Sequence, residues 1–210
     1  MIPLKCCFIL VFMLMVNKHL YSQSYSRFGI EASEDNIPEG LTVNSIAPDF
    51  IAKNQYSKEI LLYDILKKQK VVLFFYRGNW CPFCNVYLRD MQDSLHLILD
   101  KNAAVIAVSP ESTENLQHTV NKYQLGFNVI HDPDNRIMKA YKVLFNVTGF
   151  YRTKIKVGEF INLAEFNDQD KARLPVPATY VIDNDKRIVY AYFNIDFRYR
   201  APVSEILKHL

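Results

Sequence analysis

The sequence is poor in cysteine, which excludes a disulfide framework as the main source of its stability. Four cysteines occur in 210 residues, and two of them, Cys6 and Cys7, lie in an apolar N-terminal segment. Without that segment only Cys81 and Cys84 remain, as a single C-x-x-C. A structural zinc site needs further ligands, and the sequence has neither a second C-x-x-C nor histidines paired at ligand spacing. The two cysteines therefore need a role different from these.

Long apolar runs are also absent, apart from one near the N-terminus. Lys5 precedes an unbroken apolar stretch over residues 6–16, which is shorter than the roughly twenty residues of a membrane-spanning helix. A positive start, a short apolar run and small or neutral residues before Gln23 are typical of a secretory signal peptide. We expect residues 1–22 to be cleaved and the protein to be exported, to a periplasmic or other extracytoplasmic compartment. An uncleaved N-terminal anchor is the alternative.

The chain has no strong excess of either charge. It carries 25 basic and 22 acidic residues, and removal of residues 1–22 takes away Lys5 and Lys18 but no acid, leaving 23 basic residues. The mature charge of about +1 gives no basic footprint for nucleic acid or for an acidic membrane. We therefore expect no nucleic-acid partner.

Strand-like and helix-like patterns alternate in the first half of the remaining chain. Residues 71–76 and 103–108 are continuous apolar runs, which are typical of strands buried on both faces. Residues 85–99 have helical spacing. Ser109-Pro110-Glu111 offers a cap, a proline and an acid, and predicts the start of a second long helix that runs to about residue 124.

The second half of the chain predicts an antiparallel addition to the sheet. Residues 178–182 and 188–193 form a predicted hairpin, whereas residues 146–175 show no firm period and predict an insertion near the cysteine pair. The whole pattern predicts an α/β domain over residues 47–210 with a mixed central sheet flanked by helices. Residues 23–46 are polar and predict a linker.

The two cysteines lie where the first predicted strand passes into a helix. Unpaired backbone N–H groups and the helix dipole stabilise a thiolate at such a position, and Pro82 suits the first helical turn. We expect Cys81 to be the exposed nucleophile of low pKa, and Cys84, one turn deeper, to attack the mixed disulfide that Cys81 forms. Trp80 belongs to the same motif, and Arg77 either adds positive potential or is a surface residue.

Two further roles of the C-x-x-C compete with redox chemistry. A structural disulfide that closes about four residues stabilises a protein by only roughly 2 kcal/mol, against about 3 kcal/mol for fifteen residues. A copper site could combine the soft thiolates with one histidine, such as His131, although His131 also fits an ordinary position at a loop end. A C-x-x-C at a strand-to-helix turn of an α/β pattern favours redox chemistry over both.

Pro177 is the second predicted site residue. It precedes the strand over residues 178–182, and a cis proline at that point would face the cysteine pair and present backbone groups to an incoming peptide. The alternative is an ordinary trans proline at the start of a strand.

These segments together resemble a known family. Ala47-Pro48-Asp49-Phe50, residues 74–84, residues 176–183 and the arginines Arg198 and Arg200 resemble the peroxiredoxin-like branch of the alkyl hydroperoxide reductase/thiol-specific antioxidant (AhpC/TSA) group. The resemblance covers about residues 40–210. It implies a thioredoxin-like fold and dithiol redox chemistry at the cysteine pair.

Two subfamilies of this superfamily assign the cysteines opposite roles. The resemblance to true peroxiredoxins places Cys81 where they carry a threonine and Cys84 where they carry the peroxide-attacking cysteine, but Pro177 stands where they carry an arginine. The resemblance to thioredoxins makes the first cysteine the nucleophile and accounts for Pro177. It fails at Phe75, which replaces a buried carboxylate. Arg77, Arg198 and Arg200 are candidates for the missing arginine, and spacing does not choose among them.

The leading functional prediction is thiol–disulfide exchange by an enzyme that needs no cofactor beyond its own redox-active Cys81–Cys84 disulfide. Cys81 and Cys84 are the predicted catalytic residues, supported by Trp80, Pro82, Pro177 and Arg77. The expected partners are a thioredoxin-type reductant and a disulfide-bearing protein or a small-molecule thiol or peroxide. One alternative is thioredoxin-dependent reduction of hydrogen peroxide or alkyl hydroperoxides. Another alternative is a thiol-based copper-binding module.

Overall fold

A computed structural model describes residues 25–31 and 37–210, as strands and helices in alternation. The predicted signal peptide, residues 1–22, lies outside the described residues. The strands are β1 (Ile30–Glu31), β2 (Ile51–Lys53), β3 (Glu59–Leu61), β4 (Lys70–Phe75), β5 (Ala103–Ser109), β6 (Asn128–His131), β7 (Leu144–Val147), β8 (Arg173–Pro175), β9 (Ala178–Ile182) and β10 (Ile188–Phe193). The helices are α1 (Leu62–Leu66), α2 (Pro82–Asp93), α3 (Leu95–Leu99), α4 (Thr113–Tyr123), α5 (Arg136–Ala140), α6 (Gly149–Gly158), α7 (Leu163–Phe166) and α8 (Val203–Lys208).

The central sheet is mixed, which confirms the predicted fold class. Its strand order is β10-β9-β4-β5-β6. Strands β4, β5 and β6 are parallel, with Leu73 paired to Ile106, and β9 and β10 complete the sheet in the antiparallel sense. The continuous apolar runs of β4 and β5 are explained by burial on both faces.

Helices cover both faces of this sheet. Helices α2, α3, α4 and α8 pack on one face through Leu88, Ile98, Leu116 and Ile206. Helices α1 and α5 pack on the other face, where Met138 is one of the buried residues. The result is a three-layer α/β sandwich. The loop that follows β4 leads to the cysteines at the start of α2.

The segment predicted as an insertion has regular structure of its own. Residues 146–175 include α6, α7 and β8, and a small sheet of order β1-β7-β8 ties them to the domain. Ile30 of β1 is buried and pairs with Val147, so part of the predicted linker over residues 23–46 belongs to the packed domain. Strand β1 has only two residues, too few to show a strand period, and β7, with four, has the fewest that can show one.

The predicted helix start at Ser109 is wrong by several residues. Helix α4 begins at Thr113, and the Ser112 hydroxyl caps it by accepting a hydrogen bond from the Asn115 amide at 3.3 Å. Ser109 is the last residue of β5, and Glu111 is buried under the loop that follows β4 instead of lying in the first helical turn. Among the described residues, no helix has both the length and the apolar character needed to cross a bilayer.

Candidate active site

The cysteine pair lies at the predicted strand-to-helix junction. Strand β4 ends at Phe75, Cys81 is the extended N-cap residue of α2, and Pro82 is the first residue of the helix. The Cys84 amide donates to the Cys81 carbonyl oxygen at 3.0 Å, which closes the first turn. Both sulfurs therefore lie near the N-terminal end of α2, where the first backbone N–H groups lack helical partners.

Both cysteines are free thiols, and both are fully buried. The prediction of an exposed Cys81 is therefore wrong. Three aromatic residues contact Arg77, which in turn contacts Cys81: Trp80 on the same loop, Tyr151 on α6, and Phe197, which lies beyond β10. Two of these three residues come from sequence-distant segments, so the local motif does not reveal the burial.

Arg77 is a buried residue of the site and not a surface residue. Its Nη2 donates to Cys81 Sγ at 2.9 Å, and its Nη1 donates to the Tyr151 hydroxyl at 3.1 Å. Its guanidinium lies 3.6 Å from the ring centroid of Phe197 and 5.0 Å from that of Trp80. Burial lowers the pKa of Arg77, but the two cysteines raise it by more, so the group stays charged. The aromatic faces add cation–π stabilisation.

Arg200 provides a second guanidinium, on the other sulfur. Its Nη2 donates to Cys84 Sγ at 3.2 Å, and its Nη1 is anchored by the carbonyl oxygens of Phe197 and Tyr199. Arg198, the neighbouring candidate, instead pairs with Asp196 at 2.6 Å and is half exposed. Of the three candidate arginines, Arg77 and Arg200 contact the sulfurs and Arg198 does not.

The electrostatics of the pair place the thiolate on Cys84. Burial raises the pKa of the Cys84 thiol, but the hydrogen bond from Cys81 and the charges of Arg200 and Arg77 outweigh burial and bring that pKa well below its ordinary value. Burial and the adjacent Cys84 raise the pKa of Cys81 despite Arg77. The expected assignment of the low pKa to Cys81 is therefore reversed, because the hydrogen bond from Cys81 and the charge of Arg200, which lies 116 residues away in the sequence, both favour the Cys84 thiolate.

A buried carboxylate lies under the loop, at a position that the sequence pattern does not predict. Glu111 accepts hydrogen bonds from the Tyr76 hydroxyl at 2.5 Å, the Asn79 amide at 2.8 Å and the Thr119 hydroxyl at 2.9 Å. Burial raises its pKa, and these donors oppose that rise. The carboxylate joins the end of β4, the cysteine loop and α4. An acid two residues after the end of a buried strand is the only signal that the sequence offers for it.

Pro177 is buried beside the loop, but the cis prediction is wrong. The described residues contain no cis peptide bond. Thr179 pairs with Phe74, so Pro177, two residues earlier, runs alongside the chain as it leaves β4. The Val176 amide donates to the Val143 carbonyl oxygen at 2.8 Å and holds an extended approach to β9. This approach is compatible with the trans isomer, which is the lower-energy state of X–Pro bonds.

The copper alternative finds no support in the side chains around the cysteines. Within residues 25–31 and 37–210, no group of three or more His, Cys, Asp or Glu side chains is placed to hold a metal ion. His131 bonds through Nδ1 to the Glu111 carbonyl oxygen. A cavity of about 760 Å³, lined in part by Asn54, Asp132 and Tyr141, includes neither cysteine in its lining. We assign the chemistry to the cysteine pair, because it combines nucleophiles with fixed cations and this cavity does not.

Comparison with known proteins identifies the family of the chain. Residues 43–191 match the AhpC/TSA family. The bcp protein of Buchnera aphidicola subsp. Schizaphis graminum is 32% identical over 150 residues, which cover 67% of this chain and 94% of that protein. Peroxiredoxin Bcp of Bacillus subtilis is 28% identical over 171 residues, which cover 81% of this chain and 95% of that protein.

Solved structures give the same fold. The crystal structure of peroxidoxin BcpB from Mycobacterium tuberculosis has a TM-score of 0.62 at 16% identity, covering 80% of this chain and 96% of that chain. This likeness confirms the thioredoxin-like fold. The family match over residues 43–191 covers more than half of the chain and includes both cysteines. The chain therefore belongs to the AhpC/TSA family and is a thiol-dependent oxidoreductase.

Proposed function

We propose that the protein is a thiol-dependent peroxidase in which Cys84 attacks hydrogen peroxide or an alkyl hydroperoxide. The observation that carries the proposal is the environment of Cys84 Sγ, which receives hydrogen bonds from Arg200 and from Cys81. The thiolate is the nucleophilic form of cysteine, and these donors stabilise it. Relatives named peroxiredoxin support the same substrate class.

The first chemical step breaks the O–O bond of the peroxide. The Cys84 thiolate attacks one oxygen, an S–O bond forms, and the other oxygen leaves with the electron pair of the broken bond and takes a proton to become water or an alcohol. Cys84 is oxidised to a sulfenate by two electrons, and the peroxide is reduced by the same two. Arg200 and Arg77 are fixed beside the sulfurs, so their positive charges stabilise the leaving oxygen without rearrangement.

The second step uses Cys81 as the resolving thiol. Cys81 lies one helical turn from Cys84 and is the only other cysteine among the described residues. Its sulfur attacks the Cys84 sulfenate, a Cys81–Cys84 disulfide forms, and the sulfenate oxygen leaves as hydroxide or water. A thioredoxin-type reductant then returns two electrons by thiol–disulfide exchange. We further propose that this cycle operates outside the cytoplasm, on the basis of the signal-like residues 1–22.

Thiol–disulfide exchange with a protein disulfide is the second candidate, and the C-x-x-C spacing at a helix start favours it. In that cycle one cysteine attacks a partner disulfide and the other releases the product. The burial and raised pKa of Cys81 oppose its role as the first attacker. Exchange would therefore begin at Cys84, with Cys81 as the releasing thiol.

Stopped-flow oxidation of the reduced protein by hydrogen peroxide tests the proposal. We expect wild type to react much faster than a free thiol at the same pH and to lose two hydrogens by mass spectrometry as the disulfide forms. Cys81→Ser should react once and accumulate a sulfenic acid on Cys84 that a dimedone-type reagent captures. Cys84→Ser should not react. A wild-type rate no faster than that of a free thiol, together with rapid reduction of insulin disulfides, would favour the second candidate.

A further inference from the structure

Helix α6 exposes large apolar side chains to an unusual degree. Phe150 is 81% exposed and Val157 70% exposed, and Phe160, two residues beyond the helix, is 91% exposed. Single exposed apolar residues are common on proteins, but a group of them on one element marks an interaction surface. We define the α6 face as the outward side of residues 149–160.

The α6 face has a defined arrangement along the helix. Tyr151 and Ile155 are buried and fix the inner side of the helix. At 3.6 residues per turn, Phe150 and Val157 fall about 20° apart on the exposed part of the helix, to one side of Thr153. Lys154 falls about 50° from this apolar pair on one flank and Lys156 about 110° from it on the other, whereas Arg152 lies further round the helix, beyond Lys156.

The charges of the α6 face are of one sign. Residues 149–158 contain three cations and no acid, and the first acid is Glu159. None of the three cations takes part in an ion pair within the described residues. Arg152 and Lys156 also line a concavity of about 410 Å³ together with Thr153 and Asn162, where an anionic group could lie between two positive charges.

We propose that the α6 face docks the protein on an anionic phospholipid surface. An apolar centre flanked by Lys and Arg is the pattern of helices that lie in the membrane interface, where the apolar side chains enter the acyl boundary and the cations meet the headgroups. Anionic lipids attract such cations, by about fivefold in affinity for each cation at the surface. A protein partner would need an acidic surface with an apolar centre, whereas an anionic bilayer supplies both features without a specific shape.

This inference goes beyond the proposed function and does not depend on it. Helix α6 lies against the redox site, since Tyr151 accepts a hydrogen bond from Arg77. Docking through the α6 face therefore places the cysteine pair one helix layer away from the bilayer. The residues that contact lipid are not residues that contact the sulfurs, so binding and peroxidase activity can be measured separately.

A fluorescence experiment on the full chain tests the docking. In Phe160→Trp, the introduced indole should be quenched by brominated lipids in vesicles of phosphatidylglycerol and phosphatidylcholine, and not by brominated phosphatidylcholine alone. Wild type, whose only tryptophan is the buried Trp80, corrects for background. This signal reports insertion at residue 160, and the vesicles of phosphatidylcholine alone control for binding through the N-terminal apolar segment. Salt should weaken the quenching.

Matched variants in the Phe160→Trp background separate charge from apolar contact. Lys154→Glu with Lys156→Glu should reduce the affinity at least about 25-fold, and Phe150→Ser should also reduce it. Lys58→Glu and Tyr56→Ser are exposed controls that should bind as before. Absence of quenching with the vesicles that contain phosphatidylglycerol overturns the proposal, and so does equal quenching with phosphatidylcholine alone. Unchanged quenching in the α6 variants also overturns it. Concentration-dependent self-association that the same variants abolish would overturn it in favour of a second copy of the chain as the occupant of the α6 face.

Discussion

The Arg200 guanidinium donates a hydrogen bond to the sulfur of Cys84 at 3.2 Å. Pro177 stands just before β9, where the resemblance to peroxiredoxins predicts an arginine. Arg200 supplies a positive charge beside Cys84 from another segment. Its backbone anchor is local, since the guanidinium also donates to the carbonyl oxygens of Phe197 and Tyr199. The loop after β10 therefore holds the arginine in place before any substrate arrives, and the acidity of Cys84 depends on it.

Removal of the Arg200 charge should raise the pKa of Cys84. A hydrogen bond to a charged group contributes about 1.5–3 kcal/mol, so Arg200→Met should raise that pKa by about one to two pH units. The pH dependence of alkylation by iodoacetamide, followed by mass spectrometry of the peptide that contains Cys84, measures the change in Cys81→Ser. Arg198→Met is the matched control, because Arg198 pairs with Asp196 and not with a sulfur. Equal effects of the two substitutions would contradict the assignment of Arg200.

The stability of the reduced protein should depend on pH through Cys84. The pKa of Cys84 is lower in the folded chain than its ordinary value of 9.0, so the folded state binds fewer protons than the unfolded state between those two values. The free energy of unfolding should therefore rise with pH across that window and stop rising near pH 9. Urea unfolding at a series of pH values under reductant measures it. Cys84→Ser should remove this slope, and a slope of the same size in that variant would show that another group causes it.

The sequence locates the cysteine pair because its geometry is local. A buried strand, a C-x-x-C and Pro82 within residues 70–84 suffice to predict a thiol pair at a helix start, and the structure has that arrangement. The hairpin of β9 and β10 is equally local and has the predicted bounds. The mixed α/β pattern predicts a mixed central sheet, which the structure confirms, but it does not give the order of the strands.

The sequence does not locate the groups that control reactivity, because they come from other segments. Tyr151 reaches Arg77 across 74 residues, and Glu111 reaches Tyr76 across 35. A sequence pattern reports periodicity and local turns, and it contains no information on which distant side chain meets a sulfur. The helix start alone predicts an exposed Cys81 of low pKa. In the structure Cys81 is buried, and the hydrogen bond from Cys81 together with the charge of Arg200, from a distant segment, favours the lower pKa at Cys84.

Loss of the Tyr151 hydroxyl should destabilise the fold through Arg77. Tyr151→Phe leaves Arg77 Nη1 without its acceptor in a buried position, and an unsatisfied buried donor costs about 1–3 kcal/mol. The midpoint of urea unfolding should fall by the corresponding amount with an unchanged m value. Tyr199→Phe, at an exposed position, should change the stability by less than about 0.5 kcal/mol.

Gly78 is required by the shape of the cysteine loop. Its φ of +138° is a conformation that residues with a side chain rarely adopt, and an added Cβ would lie 2.6 Å from Nε1 of Trp80. Gly78→Ala should therefore displace Trp80, which lies beside Arg77, and should slow peroxide reduction as well as destabilise the fold by more than about 1 kcal/mol. Gly158→Ala is the control, because nothing lies within 4 Å of its added Cβ. Gly158 ends α6, where alanine should leave stability unchanged or slightly increased. Wild-type rate and stability in Gly78→Ala would mean that the loop does not need this conformation to hold Trp80 over the site.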